Sequence, residues 1–243
     1  AVGNVRNFTY DALGRRLTAQ DLHAPTDTTF GNWTYTYDDS GNLVSVIDPK
    51  NQTVNYAYDD INRALTEDFT GQVGVEVSYT YDTCVNGKPR LCAVTATGAN
   101  ASYQYNPLGQ VRQEIKTVGG VNYQTDYTYD RQNNLVTIKN PDSSEVKYAY
   151  NAAGQMETAQ RKESTDAGFV NVVTDFDYGP HGKVTYEGNA NGTSTTNTYD
   201  ATKLYRLSGK LTVNGGGTRL QNLAYTYDTN GNITQIVDAS DTN

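Results

Sequence analysis

Tyr35-Thr36-Tyr37-Asp38-Asp39-Ser40-Gly41-Asn42-Leu43-Val44-Ser45-Val46 holds the pattern on which the whole chain is built. Tyr and Thr favour a pleated, half-buried strand, and the aliphatic residues after Asn42 read as a second one. Between them Asp38 and Gly41 stand three apart, the spacing of a β-turn. An Asp side chain at the first turn position bonds its own backbone two residues on, and Gly at the fourth accepts positive φ without a Cβ clash.

The same string recurs ten times. Its second aromatic falls at Tyr10, Tyr37, Tyr58, Tyr81, Tyr105, Tyr129, Tyr150, Tyr178, Tyr199 and Tyr227, so consecutive copies lie 21 to 28 residues apart. Gly14, Gly41, Gly109, Gly154, Gly182 and Gly231 hold the fourth turn position, and Asn62 and Asn133 replace it with the residue type that next best tolerates the left-handed region. Asn106-Pro107-Leu108-Gly109 and Gly179-Pro180-His181-Gly182 place Pro second, where its fixed φ suits a type I turn. A second class of turn lies midway between copies, at Asp48-Pro49-Lys50-Asn51 and Asn140-Pro141-Asp142-Ser143, with Gly71, Gly119-Gly120, Asn191-Gly192 and Asn214-Gly215-Gly216-Gly217 suited to the same work.

Self-similarity at this period marks a repeat architecture, in which no unit buries its apolar face alone. Two strands and two turns per copy give about twenty short strands. Side by side at about 4.8 Å each they would make a ribbon roughly 95 Å wide, and strongly twisted open sheets seldom exceed about ten strands without curling or splitting. The expected fold is therefore all-β: a long antiparallel meander of hairpins over residues 1–243, curling into a spiral shell or partial barrel. The two residues of each Tyr-x-Tyr pair point to one face. With Leu43, Leu65, Val111, Leu135, Val184 and Ile233 on the returning strands they can form cross-strand ladders.

Composition suits a thin wall. Hydrophobic residues make up 36% and mean hydropathy is -0.67, yet 20 Tyr argue against disorder. Tyr covers apolar area while its hydroxyl stays wet, which suits a sheet that meets water. A net charge of -8, from 19 Lys+Arg against 27 Asp+Glu, excludes duplex DNA and anionic membrane as expected partners, because phosphate binding rests mainly on Lys and Arg. No apolar run approaches the roughly 18 residues of a membrane span. The chain opens just before one copy and stops shortly after another, and is expected to be a piece of something longer.

Tyr10-Asp11-Ala12-Leu13-Gly14-Arg15, Tyr37-Asp38-Asp39-Ser40-Gly41-Asn42-Leu43 and Tyr227-Asp228-Thr229-Asn230-Gly231-Asn232-Ile233 resemble the YD repeats of the RHS (rearrangement hotspot) family, and the resemblance covers nearly the whole chain. That family includes bacterial RHS and polymorphic-toxin proteins, the B and C components of insecticidal Tc toxins, and the teneurin adhesion receptors. The resemblance implies a β-sheet spiralling into a hollow shell, which in the toxins encloses a C-terminal effector domain. Nothing after Tyr227 matches the family's self-cleaving core region, so neither toxin nor protease activity is carried over. The copies at Tyr81 and Tyr199 are interrupted, by Thr83 to Cys92 and by Lys203 to Leu207, and are expected to bulge from the wall.

Cys84 and Cys92 flank Asn86-Gly87, a hairpin turn pair, so they either form a disulfide across a short loop, as suits an exported protein, or remain two thiols, one or both buried. His23 and His181 lie far from each other and from the cysteines in sequence, so no metal site and no cofactor are expected. The recurrent Asp residues fall where turn chemistry wants them, no Ser or Cys nucleophile has a recognisable His, and no glycine run is followed by Lys-Ser/Thr. The chain is thus expected not to be an enzyme. Trp33, the sole tryptophan, reads first as strand packing and second as a platform for a sugar ring.

The leading functional expectation is a structural, encapsulating shell segment of a secreted or cell-surface protein, whose partners are a fused C-terminal effector domain or further repeats. The alternative is an adhesion module for carbohydrate or a cell-surface protein, around Trp33 or the Cys84 to Cys92 insertion. A carbohydrate-active enzyme is the outsider. Free strand edges also raise the expectation of an edge-strand homodimer.

Overall fold

The computed structural model describes residues 5–22 and 31–240. It divides into two units, Ala1–Gln124 and Thr125–Asn243. The first holds β1 (Val5–Tyr10), β2 (Arg16–Leu22), β3 (Asn32–Tyr37), β4 (Leu43–Ile47), β5 (Thr53–Tyr58), β6 (Ala64–Phe69), β7 (Val77–Tyr81), β8 (Leu91–Ala96), β9 (Ala99–Tyr105) and β10 (Val111–Val118). The chain continues with β11 (Val121–Tyr129), β12 (Leu135–Lys139), β13 (Glu145–Tyr150), β14 (Met156–Lys162), β15 (Val170–Tyr178), β16 (Val184–Asn189), β17 (Ser194–Asp200), β18 (Arg206–Val213), β19 (Arg219–Tyr227) and β20 (Ile233–Asp238). The only helical element among the described residues is one 3-10 turn at Ala201–Lys203.

The fold is all-β, and the chain runs as an antiparallel meander. In the first unit each strand from β1 to β10 pairs with its sequence neighbours, and β11 to β20 do the same. Each odd-numbered strand delivers a repeat tyrosine at or next to its last residue, and the turn that follows is the one read from Asp38 and Gly41.

There is little core in either unit. Among the described residues only Cys92, Tyr105 and Ala159 fall below a tenth exposed among the hydrophobics. The accessible surface is 15547 Å² for 26.6 kDa, against roughly 10,700 Å² expected for a globular monomer of that mass. The tyrosine face is nevertheless the better covered one: Val54, Tyr56 and Tyr58 are half-buried where Asn55 and Ala57 are exposed, and β13 repeats this with Val146, Tyr148 and Tyr150 against Lys147 and Ala149. Leu43, Val111, Leu135, Val184 and Ile233 lie directly across from Tyr37, Tyr105, Tyr129, Tyr178 and Tyr227. Leu65 does not: Ala64 faces Tyr58, and Leu65 is displaced by an irregularity in register.

That irregularity is general. At all ten copies the pairing slips by one residue beside the repeat tyrosine, so that Tyr10 meets Arg16 while Thr9 already meets Thr18. Each hairpin thus carries a β-bulge just after its turn, with Leu17, Val44, Leu65, Cys92 and Val136 among the extra residues. A bulge sharpens the local right-handed twist and leaves one residue out of the ladder.

Candidate functional site: the hairpin turn and its latch to the next hairpin

The turn is held by backbone and by one side chain. In the second copy the Gly41 amide donates to the Asp38 carbonyl at 3.1 Å, and the Asp38 amide to the Asn42 carbonyl at 2.9 Å. The Asp38 carboxylate accepts from the Asn42 amide at 2.8 Å and from its side chain at 2.9 Å. Asp11, Asp59, Asp130 and Asp228 repeat this arrangement, and Asn106 and Asn151 reproduce it with an amide oxygen. Where Gly179 has no side chain, His181 Nδ1 takes the Lys183 amide at 3.2 Å.

Where the acceptor is Asp it is an ionised carboxylate, and its hydrogen bonds set a pH dependence. The Arg15 amide holds Asp11 below its ordinary 3.8, the Asn42 side chain does so for Asp38, and the Arg63 amide for Asp59. The contribution is fully present above the unfolded value and is lost as pH falls through the lowered folded one. Below about pH 4, amide exchange at the turns of Asp38, Asp59 and Asp130 is expected to rise relative to those of Asn106 and Asn151, which have nothing to protonate. Equal loss at both kinds of turn, followed by NMR, would refute the carboxylate's part.

A backbone carbonyl beside each of seven bulges takes its donor from the following copy. Tyr37 donates its hydroxyl to the Arg16 carbonyl at 3.0 Å, Tyr58 to Leu43 at 2.9 Å, Tyr105 to Leu91 at 2.6 Å, Tyr150 to Leu135 at 2.7 Å, Tyr178 to Met156 at 2.7 Å, Tyr199 to Val184 at 3.0 Å and Tyr227 to Leu207 at 2.8 Å. Every acceptor is the residue paired with the preceding repeat tyrosine. Each such bond contributes about 1 kcal/mol net. Burial pushes the hydroxyls of Tyr58, Tyr105, Tyr150, Tyr178 and Tyr199 above their ordinary value, so they remain protonated donors.

The residue just before the one paired with the repeat tyrosine, five after that tyrosine in the uninterrupted copies, adds a second link. Arg15 lies 4.9 Å over the Tyr37 ring, Arg63 4.3 Å over Tyr81, Arg90 5.5 Å over Tyr105, Lys183 5.2 Å over Tyr199 and Arg206 5.7 Å over Tyr227. Arg63 also reaches both oxygens of Asp82, at 3.2 and 2.9 Å. In the remaining copies an amide takes the place and turns back to its own turn residue, as Asn42, Asn134 and Asn232 do to Asp38, Asp130 and Asp228. In the uninterrupted copies the base or amide five residues after Tyr is visible in the sequence, but its meaning needs the neighbouring hairpin.

This link makes the turn glycines unequal. Gly14 and Gly109 both have positive φ, +78 and +83, but a Cβ on Gly14 would meet nothing within 4 Å while one on Gly109 would overlap the Arg90 guanidinium. Both alanine variants should lose about 1 kcal/mol to the left-handed backbone. Gly109→Ala should lose measurably more, because Arg90 must leave Tyr105. Equal urea midpoints would refute the difference.

The interrupted copy at Tyr81 keeps the link. Tyr81 pairs with Leu91, and Arg90 occupies the place of Arg15 and Arg63 despite the longer loop. Cys84 and Cys92 are bonded, S–S 2.09 Å, and Cys92 sits in the bulge, 4% exposed. A Cβ on Gly87 would lie 2.5 and 2.6 Å from the two sulfurs. Rather than standing clear of the wall, the loop folds onto the next hairpin: Tyr105 donates its amide to the Val85 carbonyl at 3.2 Å, and Asn86 Nδ2 donates to the Tyr105 carbonyl at 2.9 Å. In the copy at Tyr199, Leu204 and Tyr205 take positive φ, 56 and 53, and Leu204 is 83% exposed. His181 packs 4.7 Å from the rings of both Tyr199 and Tyr205. His23 lies outside the described residues. No cluster of His, Cys, Asp and Glu that could hold a metal occurs among the described residues.

Trp33 lies across from Ala19 and stays 41% exposed. It lines a cavity of about 310 Å³ with Asp48, Gln52, Phe69 and Gln72.

Bulged tyrosine hairpins, tied to their neighbours by a tyrosine hydroxyl, a cation over the ring, or both, define a repeat protein of the β-wall class. The RHS Repeat family model matches residues 10–53, 37–72 and 129–167, so these stretches of the chain carry RHS repeats. It is similar in fold to the crystal structure of TcdB2-TccC3-Cdc42 (17% identity over 96% of this chain, TM-score 0.79) and to TcdB2-TccC3 without its hypervariable C-terminal region (16%, 96%, 0.79). A structure of the Photorhabdus luminescens Tc holotoxin pore is also similar (16%, 97%, 0.74). The chain spans only 12%, 12% and 14% of the length of those three chains. No curated protein matches the sequence. No helix of the described residues is long and apolar enough to cross a membrane.

Proposed function

We propose that this chain is a segment of the encapsulating wall of an exported, toxin-type RHS protein, and that it does no chemistry of its own. The observation that carries this reading is the latch. Seven repeat tyrosines spend their hydroxyls on the preceding hairpin's backbone, and five basic residues, each just before the residue paired with a repeat tyrosine, lie over the next ring, so the signature residues are consumed in holding hairpin to hairpin. Shared fold with the TcdB2-TccC3 structures supports it. The partner is then a cargo domain or further repeats on the same polypeptide. In the natural full-length product, a domain following the repeats should resist protease until the wall is opened with denaturant. Cleavage at equal rates before and after opening would reject encapsulation.

A saccharide-binding role is the second reading, favoured by one observation. Trp33 and Phe69, 41% and 39% exposed, share the cavity with Asp48, Gln52 and Gln72, and ring faces beside amides and a carboxylate suit a neutral sugar. Glycan-array binding abolished by Trp33→Ala would favour this role, and an array blank for the parent chain would reject it.

A further inference from the structure

The loop between β7 and β8 presents one sulfur of its disulfide to solvent and hides the other. Cys84 is half-buried and lines a cavity of about 380 Å³ with Asp82, Gly87, Lys88 and Arg90, whereas Cys92 is 4% exposed and is not part of that lining. Gly87 has no side chain to screen the bridge, and a Cβ there would lie 2.5 and 2.6 Å from the two sulfurs. A nucleophile arriving from the cavity therefore meets Cys84 first.

The charge around this sulfur is positive. Arg90 spends its hydrogen bonds on the backbone carbonyls of Asn86, Lys88 and Gly109, so none of them brings it a carboxylate. Lys88 is exposed, and Asp82, the carboxylate on the lining, is bound at both oxygens by Arg63. Two cations thus stand at this opening on a chain whose net charge is -8. Cys92 is prepared as the leaving side. The Cys84 amide donates to Cys92 Sγ at 3.0 Å, a bond that strengthens as negative charge develops on that sulfur.

We propose that the bridge is a thiol-exchange site, with Cys84 as the attacked sulfur and a small thiol bearing carboxylates as the reagent. The thiolate of that reagent bonds to Cys84 Sγ, the Sγ–Sγ bond breaks, and its electron pair leaves on Cys92, which takes a proton from water. The Cys92 thiol then has the Arg90 carbonyl 3.7 Å away as acceptor. A second molecule of the thiol attacks the mixed disulfide and departs with the first as their oxidised dimer. Cys84 is released as a thiolate that takes a proton, and two electrons have entered the protein. What changes is the joint to the next hairpin, because Val85 and Asn86, between the two cysteines, hold the Tyr105 backbone. The exchange is independent of whether the wall encloses cargo.

Reduction kinetics on the 243-residue chain at low ionic strength test it. Glutathione, which is net anionic, is compared at equal thiolate concentration with cysteamine, which carries an amine and no carboxylate. Glutathione is expected to open the bridge about fivefold faster, against the repulsion of the chain's overall charge, and high salt should erase the difference. Lys88→Glu should remove the preference, with circular dichroism showing its β content kept. Acid-quenched samples mapped by mass spectrometry should carry the glutathione adduct on Cys84. The Tyr105 amide, which donates to the Val85 carbonyl, should lose protection from hydrogen exchange once the bridge is open. Cysteamine as fast as glutathione would overturn the proposal, as would an adduct on Cys92, a preference unchanged by Lys88→Glu, or a Tyr105 amide indifferent to reduction.

Discussion

Tyr105→Ala is expected to destabilise the first unit by about 3 kcal/mol, the scale of deleting a buried aromatic ring, whereas Tyr10→Ala should lose less than about 1 kcal/mol. The two residues occupy the same place in their repeats, so the contrast isolates environment. Tyr105 is 8% exposed and Tyr10 56%. Around Tyr105 converge the Leu91 carbonyl, the Arg90 guanidinium, the Val85 carbonyl and the Asn86 side chain. Tyr105→Phe removes only the hydroxyl bond and should lose about 1 kcal/mol. Urea unfolding followed by circular dichroism measures all three variants. If Tyr105→Ala and Tyr10→Ala shift the midpoint alike, the Cys84 loop does not hold the next hairpin.

Opening the Cys84–Cys92 bridge should have the second largest effect. It closes a short loop, and the chain-entropy argument for a loop of that size gives roughly 2–3 kcal/mol. The loss should spread beyond the loop, because Val85 and Asn86 are the loop's bonds to Tyr105. A double-mutant cycle of Cys84→Ser/Cys92→Ser with Tyr105→Ala should be non-additive because the bridge, which ends at Cys92, also steadies Leu91 and Arg90, the partners of the Tyr105 side chain, while the loop's bonds to the Tyr105 backbone survive in alanine. Additive losses would mean that the bridge steadies only its own loop. A wall with so few buried side chains is the setting in which one crosslink weighs heavily, for the same reason that small domains depend on disulfides.

Much of this was legible in the residues. Asp38 and Gly41 at a spacing of three declare the turn, because only certain side chains bond their own backbone there and only certain residues take positive φ; the observed φ of +88 at Gly41 and +64 at Asn62 follow that chemistry. The Tyr-x-Tyr pair declares a strand with one covered face, which β5 and β13 display. The bulge was not legible. Val44 and Leu65 look like ordinary strand residues, and a two-against-one pairing changes no residue type, so the ladder assigned to Leu65 fell to Ala64. The part of Arg63 was likewise hidden, since a base five residues after Tyr58 gains its purpose only from Tyr81 and Asp82, a whole repeat further on.

Local rules of φ, side-chain reach and strand alternation operate within a few residues, so the hairpins, their number, their antiparallel order and the chemistry of the Asp- and Asn-headed turns were readable from the residues. The acceptor of each tyrosine hydroxyl and the seating of the Cys84 loop on Tyr105 depend on groups 14 to 22 residues away in the chain, and the register at the bulge, though local, is marked by no residue type. Tertiary structure alone decided these, because a backbone carbonyl that accepts a tyrosine hydroxyl looks in sequence like any other and is told apart only by what stands opposite it.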